Sequence, residues 1–223
     1  MNLPFTYKLH TPSQMEPGKK YPAVFALHGI GYNEEDILAL VEDLKEDFIL
    51  LGVRGHLPYE NGYAYYYMKE YGKPERVRFD ASIQLLTSFI DYASFTYPID
   101  PAKRYLIGFS QGAVLSMSLA LVLGDTIRGV GAMHGYIPAF VKDEYPLKPI
   151  ADTSFFLADG QFDPIFPVTI GRENDEYLRQ HSSSVTYTTY PVGHEISPEN
   201  QRDLVKWLHQ DSLKGGEASR GAS

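Results

Sequence analysis

The sequence predicts an α/β fold, with a central, mostly parallel sheet that carries helices on both of its faces. Short apolar runs typical of buried strands alternate along the chain with helix-like segments, which is the pattern of βα units. Two glycine-containing turns, at residues 28–31 and 108–112, each follow a predicted strand and precede a predicted helix. A chain of 223 residues is long enough to bury such a sheet in one compact domain.

The first half of the chain begins this alternation. An apolar run predicts a strand at residues 21–27, and Asn33 is a suitable N-cap for a helix that continues to about Lys45. A second strand is predicted at 48–53. It is followed at 55–73 by a loop rich in Gly, Pro and Tyr, which is long for a connection alone. Apolar residues spaced three and four apart then predict a helix over 75–97.

The second half of the chain repeats the pattern. We predict strands at 104–109, 127–133, 154–157 and 185–190, and helices at 111–123 and 199–208. Because helices or loops separate all of these strands, most of them should run parallel in one sheet.

Composition excludes several classes of function. The 28 acidic and 20 basic residues give a formal charge of -8, so we do not expect nucleic acid as a partner. The chain has no cysteine, which excludes a disulfide framework, a thiolate nucleophile and a cysteine-based metal site.

The chain ends carry further expectations about location and domain organisation. We find no leader segment and no apolar run of the roughly 18 residues that a transmembrane segment needs, so we expect a cytoplasmic protein. One domain is expected over residues 1–213. Residues 214–223 are Gly, Ala, Ser and scattered charges, which cannot bury a core and predict a disordered tail. A homodimer is compatible with the sequence.

The strongest chemical signal is a G-x-S-x-G motif at residues 108–112, centred on Ser110. A serine between a strand and a helix lies on a tight turn that exposes its hydroxyl, and the helix N-terminus favours developing negative charge. Because a serine hydroxyl is a weak nucleophile at neutral pH, it needs an imidazole to remove its proton. The motif therefore predicts that Ser110 is a catalytic nucleophile.

His194 is the predicted general base. In α/β-hydrolases, where this serine turn occurs, the partners follow in the order serine, acid, histidine. Among the seven histidines, His194 alone lies between the last predicted strand and the last predicted helix. His181 precedes that strand and His209 is inside that helix, so neither fits the role.

The acid that orients the histidine should also lie on a loop after a strand. Asp159 and Asp163 both satisfy this condition, because both follow the predicted strand at 154–157. Their positions alone leave both candidates open.

The tetrahedral intermediate of acyl transfer needs backbone donors for its oxyanion. The residue after the nucleophile, Gln111, should supply one N–H. The turn at 28–31 should supply the other, and we favour Ile30 because its flanking glycines let the backbone turn inward.

Four motifs together resemble the phospholipase/carboxylesterase family, the acyl-protein thioesterase-like α/β-hydrolases: residues 27–31, 108–112, 163–167 and 193–195. The likeness spans about residues 20–209. It implies an α/β-hydrolase fold and a Ser-Asp-His esterase with no cofactor and no metal. In this family an apolar pair and a proline follow the catalytic aspartate, which matches Asp163 and favours it over Asp159. His134 stands where the family usually has serine.

The substrate pocket is predicted from aromatic residues. The loop at 59–71 contains six tyrosines, and the family's substrate-facing loop lies in the same place. We predict that Tyr65, Tyr66, Tyr136 and Phe166 contact the substrate, since aromatic rings can line an acyl pocket. The alternative is that the tyrosines of the loop only cover the sheet edge.

These observations predict a serine carboxylesterase that hydrolyses small carboxylic esters through an acyl-enzyme. The same site suits other activated acyl groups, so acyl thioesterase and lysophospholipase activities stay open. A non-catalytic binding protein of this fold is an alternative that the complete set of catalytic residues disfavours. A metal-dependent hydrolase is disfavoured because we find no H-E-x-x-H motif and no cluster of metal ligands in the sequence.

Overall fold

The computed structural model describes residues 5–70 and 72–214. Eleven strands are found in this part of the chain: β1 (Tyr7–His10), β2 (Tyr21–Leu27), β3 (Ile49–Val53), β4 (Leu57–Tyr59), β5 (Gly62–Ala64), β6 (Met68–Glu70), β7 (Lys73–Pro74), β8 (Ile99–Phe109), β9 (Gly129–Met133), β10 (Ser154–Gly160) and β11 (Ser184–Tyr190). The α-helices of the same part are α1 (Glu34–Leu38), α2 (Arg76–Thr96), α3 (Gln111–Leu123), α4 (Ala139–Glu144), α5 (Val168–Arg179) and α6 (Pro198–Leu213).

Seven of the strands form the central sheet, in the order β1-β3-β2-β8-β9-β10-β11. Every neighbouring pair is parallel except β1 and β3, which are antiparallel at one edge. The predicted mostly parallel sheet is therefore confirmed. The central strands β2, β8, β9 and β10 read as apolar runs because both faces of the sheet are covered.

Two apolar cores lie on the two faces of this sheet. One core contains the buried residues of α2 and α3, together with Leu178 of α5. The other contains the buried residues of α1 and α6, such as Ile37 and Leu204. Side chains alternate across each strand, so Phe25 belongs to the first core and Val24 to the second. The prediction of helices on both faces is confirmed.

The helix predicted from Asn33 to Lys45 is shorter than expected. Asn33 caps α1 as predicted, because its side chain accepts hydrogen bonds from the backbone N–H groups of Glu35 and Asp36. The α-helix ends at Leu38 and a 3₁₀ helix follows over Ala39–Leu44. Val41 leaves helical geometry at φ -123° and ψ 15°, and its side chain is fully buried in the second core.

The structure also contains elements that the sequence did not predict. The described residues of 55–74 form two small antiparallel strand pairs, β4–β5 and β6–β7, and β1 adds an antiparallel edge to the central sheet. Helices α4 and α5 were missed. In α5, residues 171, 174 and 178 are buried at helical spacing, but two of them are Gly and Asn, so the apolar periodicity is weak.

The remaining predictions about the chain ends have separate outcomes. In the predicted tail only Lys214, in a turn after α6, belongs to the described part of the chain; residues 215–223 lie outside it. Within the described residues, no helix combines the length and the apolar character that crossing a membrane requires.

Candidate active site

The carboxyl ends of five neighbouring strands meet at one edge of the sheet. The segments that follow them include residues 28–31 after β2, Ser110 after β8, His134 after β9, Asp163 after β10 and His194 after β11. Parallel strands place the segments after their carboxyl ends together, which is the usual location of a site in such sheets.

Ser110 occupies a strained turn between β8 and α3. Its backbone lies at φ 53° and ψ -115°, a region that residues other than glycine rarely adopt. The N–H of Ser110 donates a hydrogen bond to the carbonyl of Met133 at 2.9 Å, which fixes the turn against β9. A Cβ on Gly112 would overlap the carbonyl oxygen of Leu27. The glycine of the motif therefore allows α3 to begin directly against β2.

His194 joins Ser110 to Asp163. The Nε2 atom of His194 lies 2.9 Å from the Oγ atom of Ser110, and its Nδ1 atom lies 2.7 Å from the Oδ2 atom of Asp163. Because an ionised carboxylate only accepts hydrogen bonds, the proton of His194 in this contact is on Nδ1. The Nε2 atom then accepts from the serine hydroxyl, which is the arrangement that general-base catalysis needs.

Asp163 is buried, and four donors reach its carboxylate. The Oδ1 atom accepts from the backbone N–H groups of Ile165 at 2.7 Å and Phe166 at 2.9 Å, while His134 and His194 reach Oδ2. Burial opposes ionisation, but these hydrogen bonds outweigh it and hold the pKa of Asp163 below its ordinary value. The carboxylate is therefore ionised at neutral pH.

Asp159, the other candidate for the acid, lies elsewhere. It belongs to β10, is buried, and its carboxyl packs against Gly171 of α5. The pKa of Asp159 is raised to about 7: burial is the main cause, the hydrogen bond from Tyr187 partly opposes it, and the charge of Asp163 adds a smaller rise. The structure therefore brings Asp163, and not Asp159, into contact with His194.

Ile30 and Gln111, the predicted oxyanion donors, lie on the wall of the cavity into which Ser110 opens. A Cβ on Gly29 would lie 3.5 Å from the Cβ atom of Ser110, so the backbone before Ile30 passes close to Ser110. His28 holds this turn in place: its Nδ1 atom donates to the carbonyl of Gly29 at 2.7 Å and its Nε2 atom accepts from the N–H of Gly55 at 2.9 Å.

The side chain of Gln111 connects α3 to the tyrosine-rich loop. Its Oε1 atom accepts from the N–H of Tyr65 at 2.7 Å, and its Nε2 atom donates to the carbonyl of Tyr66 at 2.8 Å. The residue that begins α3 therefore also fixes the backbone of the loop opposite it. Both contacts are buried, so they exchange little with water.

The cavity beside Ser110 has a volume of about 530 Å³ and is mostly apolar. Three of the four predicted substrate residues line it, namely Tyr66, Tyr136 and Phe166. Tyr65 is not among the residues of its wall. Its ring is fully buried and its hydroxyl donates to the carbonyl of Val53, so Tyr65 supports the loop from inside the protein. The expectation of a substrate contact through Tyr65 is corrected accordingly.

Several residues of the site were not predicted from the sequence. The cavity is also lined by Tyr32, Tyr59, Met68, Phe109 and Ile165. Tyr59 and Met68 belong to the tyrosine-rich loop at 59–71, so their position in that loop could have predicted a place on the cavity wall. Tyr32 and Phe109 flank the two glycine-containing turns, and no feature of the sequence separated them from ordinary core residues.

A second histidine reaches the acid. The Nδ1 atom of His134 lies 2.8 Å from the same Oδ2 atom of Asp163 that contacts His194. Among the described residues, these three form the one group of His, Asp and Glu side chains close enough to share a metal ion. Their mutual hydrogen bonds account for the arrangement, since each nitrogen that faces Asp163 has a carboxylate oxygen as its partner.

Comparison with known proteins places the chain in a known family. The sequence pattern of the phospholipase/carboxylesterase family matches residues 57–211. The protein MhqD of Bacillus subtilis, classed by name among hydrolases, is 27% identical over 87% of this chain and 96% of its own length. Acyl-protein thioesterase 1 of Debaryomyces hansenii is 31% identical over 65% of each chain. The chain spans about half to two thirds of the length of the acyl-protein thioesterases that it matches.

Solved structures share the fold over nearly the whole chain. A carboxylesterase of Bacillus cereus superposes with a TM-score of 0.83 at 23% identity, over 94% of this chain and 96% of that one. A carboxylesterase of Mesorhizobium loti gives a TM-score of 0.80 at 22% identity, over 93% and 96%. At this identity the likeness establishes the α/β-hydrolase fold.

Proposed function

Because the chain belongs to the phospholipase/carboxylesterase family of α/β-hydrolases, we propose that it is a serine carboxylesterase that hydrolyses small carboxylic esters through an acyl-enzyme intermediate. The observation that carries this proposal is the continuous contact from Asp163 through His194 to Ser110, beside an apolar cavity.

The first half of the proposed reaction forms the acyl-enzyme. The Oγ atom of Ser110 attacks the ester carbonyl while His194 takes its proton at Nε2. The carbonyl oxygen becomes an oxyanion, for which the N–H groups of Ile30 and Gln111 are the proposed donors. When the carbon–oxygen bond to the alcohol breaks, His194 returns the proton to the departing oxygen, and the acyl group stays on Ser110.

The second half releases the acid. Water attacks the acyl carbonyl, His194 accepts a proton from it, and the proton passes to Ser110 as the carboxylic acid leaves. Asp163 fixes the tautomer of His194 and stabilises its cation in both halves. Tyr66, Tyr136 and Phe166 are the proposed contacts of the acyl group, because they line the cavity beside the nucleophile.

A thioester is the second candidate substrate. It is favoured by the acyl-protein thioesterases among the relatives, whose names describe that activity. A lysophospholipid would use the same chemistry at Ser110. Comparing kcat/KM for oxygen and thiol esters with the same acyl chain separates the first two activities, because only the leaving group changes.

The proposal is tested by labelling and by substitution of Ser110. We expect a fluorophosphonate to add once to the protein, and peptide mapping to place it on Ser110. Ser110→Ala should lower kcat for p-nitrophenyl esters by a factor on the order of 10³ to 10⁶. Ser116→Ala is the matched control, since that hydroxyl is fully buried in α3. An adduct on another residue, or more than about a tenth of the activity in Ser110→Ala, would overturn the proposed mechanism.

A further inference from the structure

We propose that His134 is a positioning residue for the catalytic acid, which it holds in the orientation that His194 needs. The inference rests on the proposed function, because it assigns a role to a side chain that contacts Asp163 and does not touch Ser110. Asp163 then has two histidine partners. His194 transfers the proton during catalysis, and His134 keeps the carboxylate in place.

His134 contacts the acid inside the protein. Its side chain is fully buried, and its Nδ1 atom lies 2.8 Å from Oδ2 of Asp163. The Nδ1 atom of His194 lies 2.7 Å from the same oxygen. The imidazole rings of His134 and His194 are nearly perpendicular, with an interplanar angle of 81°. Two N–H groups from two separate rings therefore donate to one oxygen, and together they restrict rotation of the carboxylate.

The backbone of His134 lies in a region that few residues other than glycine adopt. Its φ is 55°, in the left-handed region, and its N–H donates to the carbonyl of Ala158 on β10 at 2.8 Å. A side chain other than glycine is retained there only where its surroundings fix it. Ser110, after the neighbouring strand β8, also has a positive φ, of 53°. Both strained residues carry side chains into the proposed site.

His134 supplies one of the four hydrogen bonds that the carboxylate of Asp163 accepts. The buried carboxylate of Asp163 has four acceptor positions, and Ile165, Phe166 and His194 supply three of the donors. In the described part of the chain His134 supplies the fourth. Without it, Oδ2 would be held by His194 alone, the side chain that moves the proton in each catalytic step.

His134 can donate this hydrogen bond without neutralising the negative charge of Asp163. Burial lowers the pKa of His134, against the raising effects of Asp163 and the Glu195 backbone, while the charge of His194 lowers it further. The ring is therefore neutral at neutral pH, and its contact with a carboxylate requires the proton on Nδ1. A neutral donor orients the carboxylate and leaves its negative charge available to stabilise the His194 cation.

Among the described residues, few ionisable groups face this cluster. His134 faces Asp163 and His194, and Asp163 faces these two histidines and the charge of Asp159. Burial raises the pKa of Asp159 to about 7, so its charge changes within the pH range of an activity assay. Any test by pH dependence therefore needs a version of the protein in which Asp159 cannot ionise.

The test compares His134→Ala with His134→Asn. Alanine removes the donor. Asparagine tolerates the left-handed backbone and offers an N–H close to the position of Nδ1. With p-nitrophenyl butyrate we expect His134→Ala to lower kcat by about 10- to 100-fold with KM within about twofold, because orientation acts on the chemical step. His134→Asn should recover kcat to within about fivefold of the parent protein.

The pH profile supplies a readout that a purely structural role would not move. With one donor fewer, Oδ2 interacts more strongly with His194, so protonation of the pair is favoured. The acidic limb of kcat/KM should move to higher pH by about half a unit in His134→Ala. In His134→Asn it should stay in place. The comparison is repeated in an Asp159→Asn background, where the same shift is expected.

Labelling separates failure of this proposal from failure of the proposed function. If the parent protein adds a fluorophosphonate at Ser110 and His134→Ala adds it at the same rate, with kcat and the acidic limb unchanged, His134 is not a positioning residue. Equal losses in the Ala and Asn variants would also contradict the proposal. If the parent protein itself fails to label, the proposed function is wrong instead. Trp207 fluorescence during thermal unfolding verifies that each variant is folded.

Discussion

Replacing Asp159 with asparagine should change how the stability of this protein depends on pH. Asp159 is 4% exposed, and its carboxyl packs against Gly171 and lies near Asp163. Burial raises its pKa from an ordinary 3.8 to about 7. The folded protein therefore holds a proton on Asp159 over a range of pH in which the unfolded chain has lost it.

The sign and the size of the effect follow from this difference. Between pH 3.8 and 7 the folded state binds more protons than the unfolded state, so stability falls as the pH rises through this range. A difference of about three pKa units corresponds to at most about 4 kcal/mol in the free energy of unfolding. From pH 5 to pH 8, the loss attributable to Asp159 is about 3 kcal/mol.

Urea unfolding followed by Trp207 fluorescence measures this loss. At each pH we compare the free energy of unfolding of Asp159→Asn with that of the parent protein. This difference should favour the variant by about 3 kcal/mol more at pH 8 than at pH 5, because asparagine does not ionise. Glu176→Gln, an exposed carboxylate on α5, is the matched control. Its free energy of unfolding relative to the parent protein should differ by less than about 0.5 kcal/mol between the two pH values. If Asp159→Asn shows the same difference from the parent at both pH values, Asp159 does not hold a proton in the folded state.

Two further predictions concern activity. Asp163→Asn should lower kcat at pH 8 by a factor on the order of 10³ to 10⁴, because His194 loses the partner that sets its tautomer. Asp159→Asn should stay within about tenfold of the parent, and the reverse order of the two losses would assign the acid to Asp159. Tyr66→Ala should shift the preferred acyl chain of p-nitrophenyl esters by two or more carbons, since each buried methylene contributes roughly 0.8 kcal/mol. Tyr65→Ala should lower the melting temperature and leave the preferred chain unchanged; a shift of the preference in this control and not in Tyr66→Ala would show that the cavity wall is assigned wrongly.

The parts of the site that the sequence predicted are those with local signals. Ser110 lies in a motif between a strand and a helix, and His194 lies between the last strand and the last helix, so the local motif and the order along the chain were enough to predict their places. The choice of Asp163 needed more than position, because Asp159 follows the same run of apolar residues. In the structure β10 extends to Gly160, which makes Asp159 part of the strand and leaves Asp163 on the loop.

The parts that the sequence did not predict depend on contacts between distant segments. His134 and Asp163 meet because β9 and β10 are neighbours in the sheet, and no feature near His134 in the sequence indicates this pairing. Tyr65 and Tyr66 are consecutive residues of one type, yet the structure places one inside the protein and the other on the cavity wall. Only the path of the loop decides which is which.

The two hydrogen bonds of the Gln111 side chain limit how this protein could be redesigned. Loop exchange is a common way to give a hydrolase a new substrate range, and the segment from 55 to 74 is the obvious one to replace. Here that segment is bonded through the backbone of Tyr65 and Tyr66 to the first residue of the helix behind Ser110. A transplanted loop would have to present an N–H and a carbonyl at the same two points. Otherwise the new loop would also displace the turn that carries Ser110, so residue 111 and the loop are best varied together.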